Sequence, residues 1–144
     1  MVALLEHLIH HPDPLIVPVY DYAILQKKRQ DHIISYDMMR CGILEEDERM
    51  FVDYVGEAWD MHGQDLWKRL DQGTCMKYPE ELRYFRDEQK ELASFLTEVI
   101  HQNRYQDLHS GNVMRDEDNN FVLIDLEGFI RTPLEADYNS WITR

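Results

Sequence analysis

Residues 105–127 have the sequence YQDLHSGNVMRDEDNNFVLIDLE. Val113-Met114 is a short apolar pair, RDEDNN is a polar turn, and FVLI is an apolar, largely β-branched run. This order predicts a loop followed by a hairpin of two short strands, with Asp125 directly after the second strand.

Three side chains in this stretch can handle a metal ion or a proton: Asp107, Asn112 and Asp125. Asp107 and Asn112 are five residues apart, and Asp125 follows thirteen residues after Asn112. The spacing suits phosphate chemistry with a divalent metal, because one carboxylate can accept the proton of an attacking hydroxyl while an amide and a second carboxylate hold Mg²⁺ on nucleotide phosphates. The alternative is a hairpin rich in Asp and Asn whose polar side chains only form Asx turns.

At these residues the chain resembles the protein-kinase-like superfamily. It contains the catalytic-loop pattern D-x-x-x-x-N, and Asp125 stands where the metal-binding Asp of D-F-G falls. The local spelling, DLHSGN and then LIDLEG, is most similar to aminoglycoside and choline phosphotransferases. The resemblance implies Asp107 as the catalytic base that orients and deprotonates the acceptor hydroxyl, with Asn112 and Asp125 as Mg²⁺ ligands. His109 would lie near the transferred phosphate, either as an imidazolium that stabilises developing charge or as a neutral ring that caps the loop.

The resemblance extends upstream of the loop. HPDPLIVPVYDY (11–22) looks like the segment that joins the regulatory helix of a kinase N-lobe to its fourth strand, and ISYDMMRCGIL (34–44) resembles the fifth strand and the hinge. This implies ATP binding, with Tyr36 as the gatekeeper and the backbone of Asp37 through Met39 hydrogen-bonded to the adenine. Tyr36 can equally be an ordinary residue of a core strand.

The remaining pattern predicts the secondary structure around these motifs. A helix over 2–11 stops at Pro12, and 15–25 pairs with 32–39 in a β-hairpin. Residues 44–70 form helix with a break at MHGQ, and one long helix runs from Pro79 to about Gln102. In the first helix His7, His10 and His11 lie at i, i+3 and i+4, where they could hold a metal or sit at the helix end for dipole and solvent reasons.

Together these features predict an α+β chain with a reduced protein-kinase-like fold, truncated at both ends. A small antiparallel sheet lies beside a mainly helical half: 1–43 forms the N-lobe remnant and hinge, and 44–144 forms the helical half with the catalytic hairpin. Counterparts of the G-x-G-x-x-G loop and of the phosphate-gripping strand Lys are missing from the sequence. A partner protein or a second copy of the chain could complete the lobe.

Composition and net charge indicate which classes of binding partner and which cellular compartment to expect. The chain has 144 residues and a net charge of −13, which disfavours nucleic acid and anionic membranes as partners. Its two cysteines do not make a disulfide framework, and we expect a cytoplasmic setting without a membrane span or a secretion signal.

Three functions remain open at this point. The first is ATP- and Mg²⁺-dependent phosphotransfer to an unknown acceptor. The second is a catalytically impaired kinase-like protein that binds nucleotide or a partner protein, since the missing Lys and glycine loop remove much of the grip on the phosphates. The third is an unrelated α+β interaction domain.

Overall fold

The structure is a computed structural model that describes residues 2–26, 32–73, 76–102 and 108–125. Asp107 lies outside the described residues. Within them the chain is a mixed helical and β structure with two small antiparallel sheets. The helices and strands are α1 (Val2–His10), β1 (Val19–Gln26), β2 (His32–Met38), α2 (Glu46–His62), α3 (Leu66–Asp71), α4 (Pro79–Glu88), α5 (Lys90–Gln102), β3 (Val113–Arg115) and β4 (Phe121–Leu123).

The N-terminal part confirms the predicted helix and hairpin. α1 ends at His10, just before Pro12, and buries Leu4, Leu5 and Leu8 on one face. β1 and β2 pair in antiparallel register from Asp21↔Asp37 to Gln26↔His32, with an irregularity between Val19 and Asp21. α1 packs on this hairpin, and the Tyr22 hydroxyl donates a hydrogen bond to Glu6 of α1.

The predicted break at MHGQ is also present. α2 ends at His62, a short 3₁₀ turn spans Gly63–Asp65, and α3 begins at Leu66. Gly63 has φ +65°, a conformation that side-chain-bearing residues rarely adopt, so glycine permits the turn at this position.

The predicted single helix from Pro79 to Gln102 is wrong, because two helices meet at Gln89. This residue is non-helical (φ −119°, ψ 65°), and its side-chain Nε2 donates to the Asp47 carbonyl of α2 at 3.3 Å. Backbone bonds continue on both sides: Gln89 N–H donates to Phe85 O, and Ala93 N–H donates to Gln89 O. The apolar stripe crosses the bend without interruption, which is why periodicity alone predicted one helix.

The predicted second hairpin is present as β3 and β4, which pair from Val113↔Leu123 to Arg115↔Phe121. Other segments of backbone attach to both of its edges. On the β4 side Leu123 exchanges hydrogen bonds with Leu15 and Val17, and on the β3 side Arg115 exchanges two with Gly42. The hairpin is therefore joined to the segment before β1 and to the segment after β2.

Two apolar clusters form the core, and the hairpin contributes to both. The N-terminal cluster contains residues of α1, of 16–19 and Val122. The helical cluster contains the buried faces of α2 to α5 together with Val113, Phe121 and Leu123. Adjacent residues of β4 thus point into different clusters, as the alternation of side chains along a strand requires. None of the described helices combines the length and the apolarity needed to cross a membrane.

Candidate functional site

Asn112 and Asp125 lie at the same open end of the β3–β4 hairpin. Val113 pairs with Leu123, and one step further the Ile124 N–H donates to the Asn112 carbonyl at 3.0 Å. Asp125 is the next residue after this bond and is half-buried. Asn112 is only 6% exposed, and with Glu48 it makes up the buried polar side chains of the described residues. The register thus brings the backbones of two of the three predicted site residues, Asn112 and Asp125, to the same end of the hairpin.

His109 organises the turn that carries Asn112. Its ring Nδ1 accepts a hydrogen bond from the Gly111 N–H at 3.1 Å, while its Nε2 lies 3.0 Å from the Asn112 Nδ2. The oxygen and nitrogen of an Asn amide exchange places on a half-turn, so the contact fixes the position of the amide group and not which of its two atoms faces the ring. His109 therefore caps the turn through its Nδ1.

The contact with Nε2 places His109 to orient the Asn112 side chain. A His ring that orients a ligand side chain is a common outer-shell arrangement around metals.

The Asp53 side chain of α2 accepts two hydrogen bonds from Ser110, at the start of the turn. Its Oδ1 accepts from the Ser110 N–H at 2.7 Å, and its Oδ2 accepts from the Ser110 hydroxyl at 3.0 Å. Ser110 opens the 3₁₀ turn Ser110–Asn112, whose first N–H groups have no partner within the turn. Asp53 supplies one of these partners from a residue 57 positions earlier in the chain.

Gly56, one turn further along α2, lets the loop approach the helix. A Cβ added to Gly56 would lie 2.1 Å from the Leu108 carbonyl oxygen, which is far inside van der Waals contact. Glycine in a helix interior costs about 1 kcal/mol relative to alanine, and here the close approach explains its presence. Asp53 and Gly56 together hold residues 108–110 against α2.

Arg115 and Glu48 join the hairpin to the start of α2. The Arg115 guanidinium donates to the Glu48 carboxylate, whose side chain is 9% exposed, and also to the Asn119 carbonyl at 3.0 Å. It lies over the ring of Phe121, 4.2 Å from the centroid. The other Glu48 oxygen accepts from the Glu45 N–H at 2.9 Å. Both ends of this half-buried ion pair are thereby hydrogen-bonded.

The predicted hinge residues lie at the end of β2. Tyr36 pairs with Tyr22 in register and is half-buried against the N-terminal cluster, while Asp37 is exposed. The Met39 N–H donates to the Pro18 carbonyl at 2.9 Å, so this donor already has a partner within the chain. An adenine at this position would have to use other backbone groups of the hinge.

Cys41 lies beyond the hinge, close to the hairpin turn. Its thiol donates to the Met39 carbonyl at 3.4 Å. Burial, and then the carboxylates of Asp116 and Glu117, raise the pKa of Cys41 above its ordinary value of 9.0. The thiol is therefore protonated and unreactive near neutral pH.

The residues at the hairpin mouth carry donor types that Mg²⁺ accepts. No group of three or more His, Cys, Asp or Glu side chains in the described parts of the chain is placed to hold a metal ion, and this includes His7, His10 and His11. Mg²⁺ needs fewer protein ligands, because it usually keeps several waters and binds through one or two carboxylates and the substrate phosphates. An amide and a carboxylate oxygen suit that role.

Comparisons of the chain with protein-family models, with curated proteins and with solved structures gave no match.

Sequence reasoning missed Asp53, Gly56, Glu48 and Arg115, which position the loop and the hairpin. One signal was available, since Gly56 interrupts an otherwise good helical pattern, VDYVGEAW, and a glycine there usually has a packing reason. Asp53 and Glu48 carry no comparable local signal, because both occur in a helix rich in acids.

Proposed function

We propose that the chain is an atypical, kinase-like phosphotransferase that uses ATP and Mg²⁺, with an acceptor that is still to be found. The observation that carries the proposal is the hydrogen bond between the Ile124 N–H and the Asn112 carbonyl, at 3.0 Å. It places Asn112 beside the residue that precedes Asp125, at the mouth of a hairpin whose motif spacing matches the kinase-like pattern. The motif and the hairpin are the support for the kinase-like fold.

The residues have separate roles in the proposed reaction. Asp107 orients the acceptor hydroxyl and takes its proton as the oxygen forms a bond to the γ-phosphorus, while the bond from that phosphorus to the β–γ bridging oxygen breaks and ADP leaves. Asn112 and Asp125 would hold Mg²⁺, which neutralises charge on the phosphates when bound. His109 and Asp53 keep Asn112 and the turn in place.

A second candidate is a nucleotide-binding or partner-binding protein without turnover. One observation favours it: the Met39 N–H already donates to the Pro18 carbonyl, so this donor of the predicted hinge is engaged within the chain.

Calorimetric titration of ATP with and without Mg²⁺ tests the proposal. We expect Mg²⁺-dependent binding that Asp125→Ala and Asn112→Ala weaken by roughly tenfold or more, as is usual when a metal ligand or its orienting neighbour is lost. Asp71→Ala, which changes the net charge by the same amount as Asp125→Ala but lies outside the hairpin, serves as the control. Absence of Mg²⁺-dependent binding in the wild type at millimolar ATP would eliminate both nucleotide functions.

Measurement of γ-phosphate loss then separates enzyme from binder. Asp107→Ala is expected to keep most of the nucleotide affinity but to slow phosphate transfer or ATP hydrolysis by about a hundredfold or more, the usual contribution of a general base. If the wild type binds Mg²⁺–ATP but turns it over no faster than Asp107→Ala does, the second candidate function is the correct one.

A further inference from the structure

We propose that Asp53 is a positioning residue of the phosphotransfer site, acting through Ser110 on the turn that carries Asn112; this inference rests on the proposed function. Asp53 accepts both the Ser110 N–H and the Ser110 hydroxyl, at 2.7 and 3.0 Å. A carboxylate that takes two donors of one residue fixes that residue in both position and rotation. Ser110 stands two residues before Asn112 and three after Asp107, so it lies between the proposed base and the proposed metal ligand.

The helix that carries Asp53 is a rigid support. Phe51, Val52 and Val55 of α2 are fully buried in the helical cluster, so the position of the helix is set by the core. The Gly56 contact with Leu108 brings the loop to the same face of α2 one turn later. The core therefore fixes the position of α2, and α2 contacts the loop at two residues one turn apart, Asp53 and Gly56.

Asp53 itself adds little to the stability of the fold. It is exposed, and hydrogen bonds and ion pairs at exposed sites contribute weakly because water competes for both partners. A substitution at Asp53 should therefore leave the protein folded. Any effect on nucleotide binding can then be separated from unfolding.

The negative charge of Asp53 lets the test separate a positioning role from a purely electrostatic one, because the two change Mg²⁺–ATP affinity in opposite directions. A carboxylate beside a phosphate-binding loop repels ATP, and the chain already carries a net charge of −13. If electrostatics alone connected Asp53 to the site, its removal would tighten Mg²⁺–ATP binding. If Asp53 positions the turn, its removal weakens binding in spite of the lost repulsion.

Asp53→Ala, Asp53→Asn and the control Asp71→Ala make the comparison. Asp71 is a matched choice because its carboxylate also accepts one exposed hydrogen bond, from Arg86 at 2.8 Å, and its loss changes the net charge equally. Asparagine keeps the shape of Asp53: its Oδ1 can accept the Ser110 N–H, and its Nδ2 can donate to the Ser110 hydroxyl oxygen. Asp53→Asn should therefore restore most of what Asp53→Ala loses.

Two readouts decide the proposal. Hydrogen exchange measured by NMR needs no ligand, and we expect faster exchange of the Ser110 amide in Asp53→Ala than in wild type or Asp71→Ala. Calorimetry should show Mg²⁺–ATP binding weakened by roughly tenfold in Asp53→Ala, within about threefold of wild type in Asp53→Asn, and unchanged in Asp71→Ala, as expected for loss of an outer-shell contact.

The failures are distinguishable. A wild type that binds no Mg²⁺–ATP removes the proposed function and this inference with it. A wild type that binds, together with an Asp53→Ala variant that binds equally well or more tightly, overturns the positioning role alone and leaves the proposed function standing. Equal losses in Asp53→Ala and Asp53→Asn would also overturn it, since the hydrogen bonds to Ser110 that asparagine keeps would then not be what supports binding.

Discussion

Gly56 is the position at which one absent methyl group permits the loop to lie against α2. The Leu108 carbonyl oxygen occupies the place where a Cβ would be, at 2.1 Å. The neighbour is backbone and not the end of a flexible side chain, so it cannot yield by changing rotamer. A larger residue would have to displace either the helix or the loop that leads to Asn112.

Gly56→Ala is therefore expected to destabilise the fold by about 2 kcal/mol or more, as overpacking in a close-packed region does. The expected sign is informative, because alanine in an exposed helix interior would stabilise by about 1 kcal/mol. Chemical denaturation measures the change in the free energy of unfolding. Gly42→Ala is the control, since a Cβ there would meet nothing within 4 Å; a loss at Gly42 as large as that at Gly56 would contradict the close-approach explanation.

At the level of elements, the Arg115–Glu48 pair connects the hairpin to the N-terminus of α2. Removal of Arg115 would leave a nearly buried carboxylate with a single backbone donor, the Glu45 N–H. A buried charge that loses its partner is costly, whereas removal of both charges is much less so.

Arg115→Gln is thus expected to lower the free energy of unfolding by about 2 kcal/mol, while Arg115→Gln combined with Glu48→Gln should lose less than the sum of the single changes. A double-mutant cycle from denaturant unfolding measures the coupling. The exposed pair Lys77–Glu57, with side chains 56% and 42% exposed, is the control and should show no measurable coupling. Additive losses at Arg115 and Glu48 would show that the pair does not act as a unit.

The contact of Arg86 in α4 with Asp71 in α3 should make the stability of the fold depend on pH. A hydrogen bond from Arg86, together with its charge, holds the pKa of Asp71 below its ordinary value of 3.8. A carboxyl whose folded pKa is lowered stabilises the fold above the unfolded value, and this contribution disappears as the pH falls through the folded pKa. Carboxyl NMR titration should find the midpoint of Asp71 below 3.8 in wild type and shifted upward in Arg86→Gln. An unchanged midpoint in the variant would show that Arg86 is not the cause.

Local pattern predicted much of the element order, because short-range rules govern it. Pro12 ended α1, the alternating apolar runs gave both hairpins, and the MHGQ sequence marked the end of α2. The bend at Gln89 was missed because the apolar stripe continues through it, while the contact that accompanies the bend, from Gln89 Nε2 to the Asp47 carbonyl, is tertiary. Elements whose boundaries depend on a distant partner are not encoded in local periodicity.

The same limit applied to the site. The local pattern predicted the hairpin that brings the backbones of Asn112 and Asp125 to one end, since a hairpin's register follows from its own residues. The contact of Asp53 with Ser110 spans 57 positions and has no local signature. Likewise, the hydrogen bond from the Met39 N–H to the Pro18 carbonyl depends on how the segment before β1 lies along the residues after β2.

For the whole molecule, the β3–β4 hairpin is the element that both apolar clusters share. Val122 packs in the N-terminal cluster, whereas Phe121 and Leu123 pack in the helical cluster. The backbone bonds of Leu123 and Arg115 to the flanking segments reinforce the junction. Asn112 and Asp125, the proposed metal ligands, therefore stand on the hairpin where the two apolar clusters meet.

The central claim is that a metal–nucleotide binds at the mouth of this hairpin, and Mn²⁺–ATP tests it most directly. Mn²⁺ prefers the same oxygen donors as Mg²⁺, and its unpaired electrons broaden the NMR signals of nearby nuclei. We predict that broadening centres on the amides of Asn112 and Ile124 and is lost in Asp125→Ala. Broadening centred on the histidines of α1, or none at all, would contradict the account.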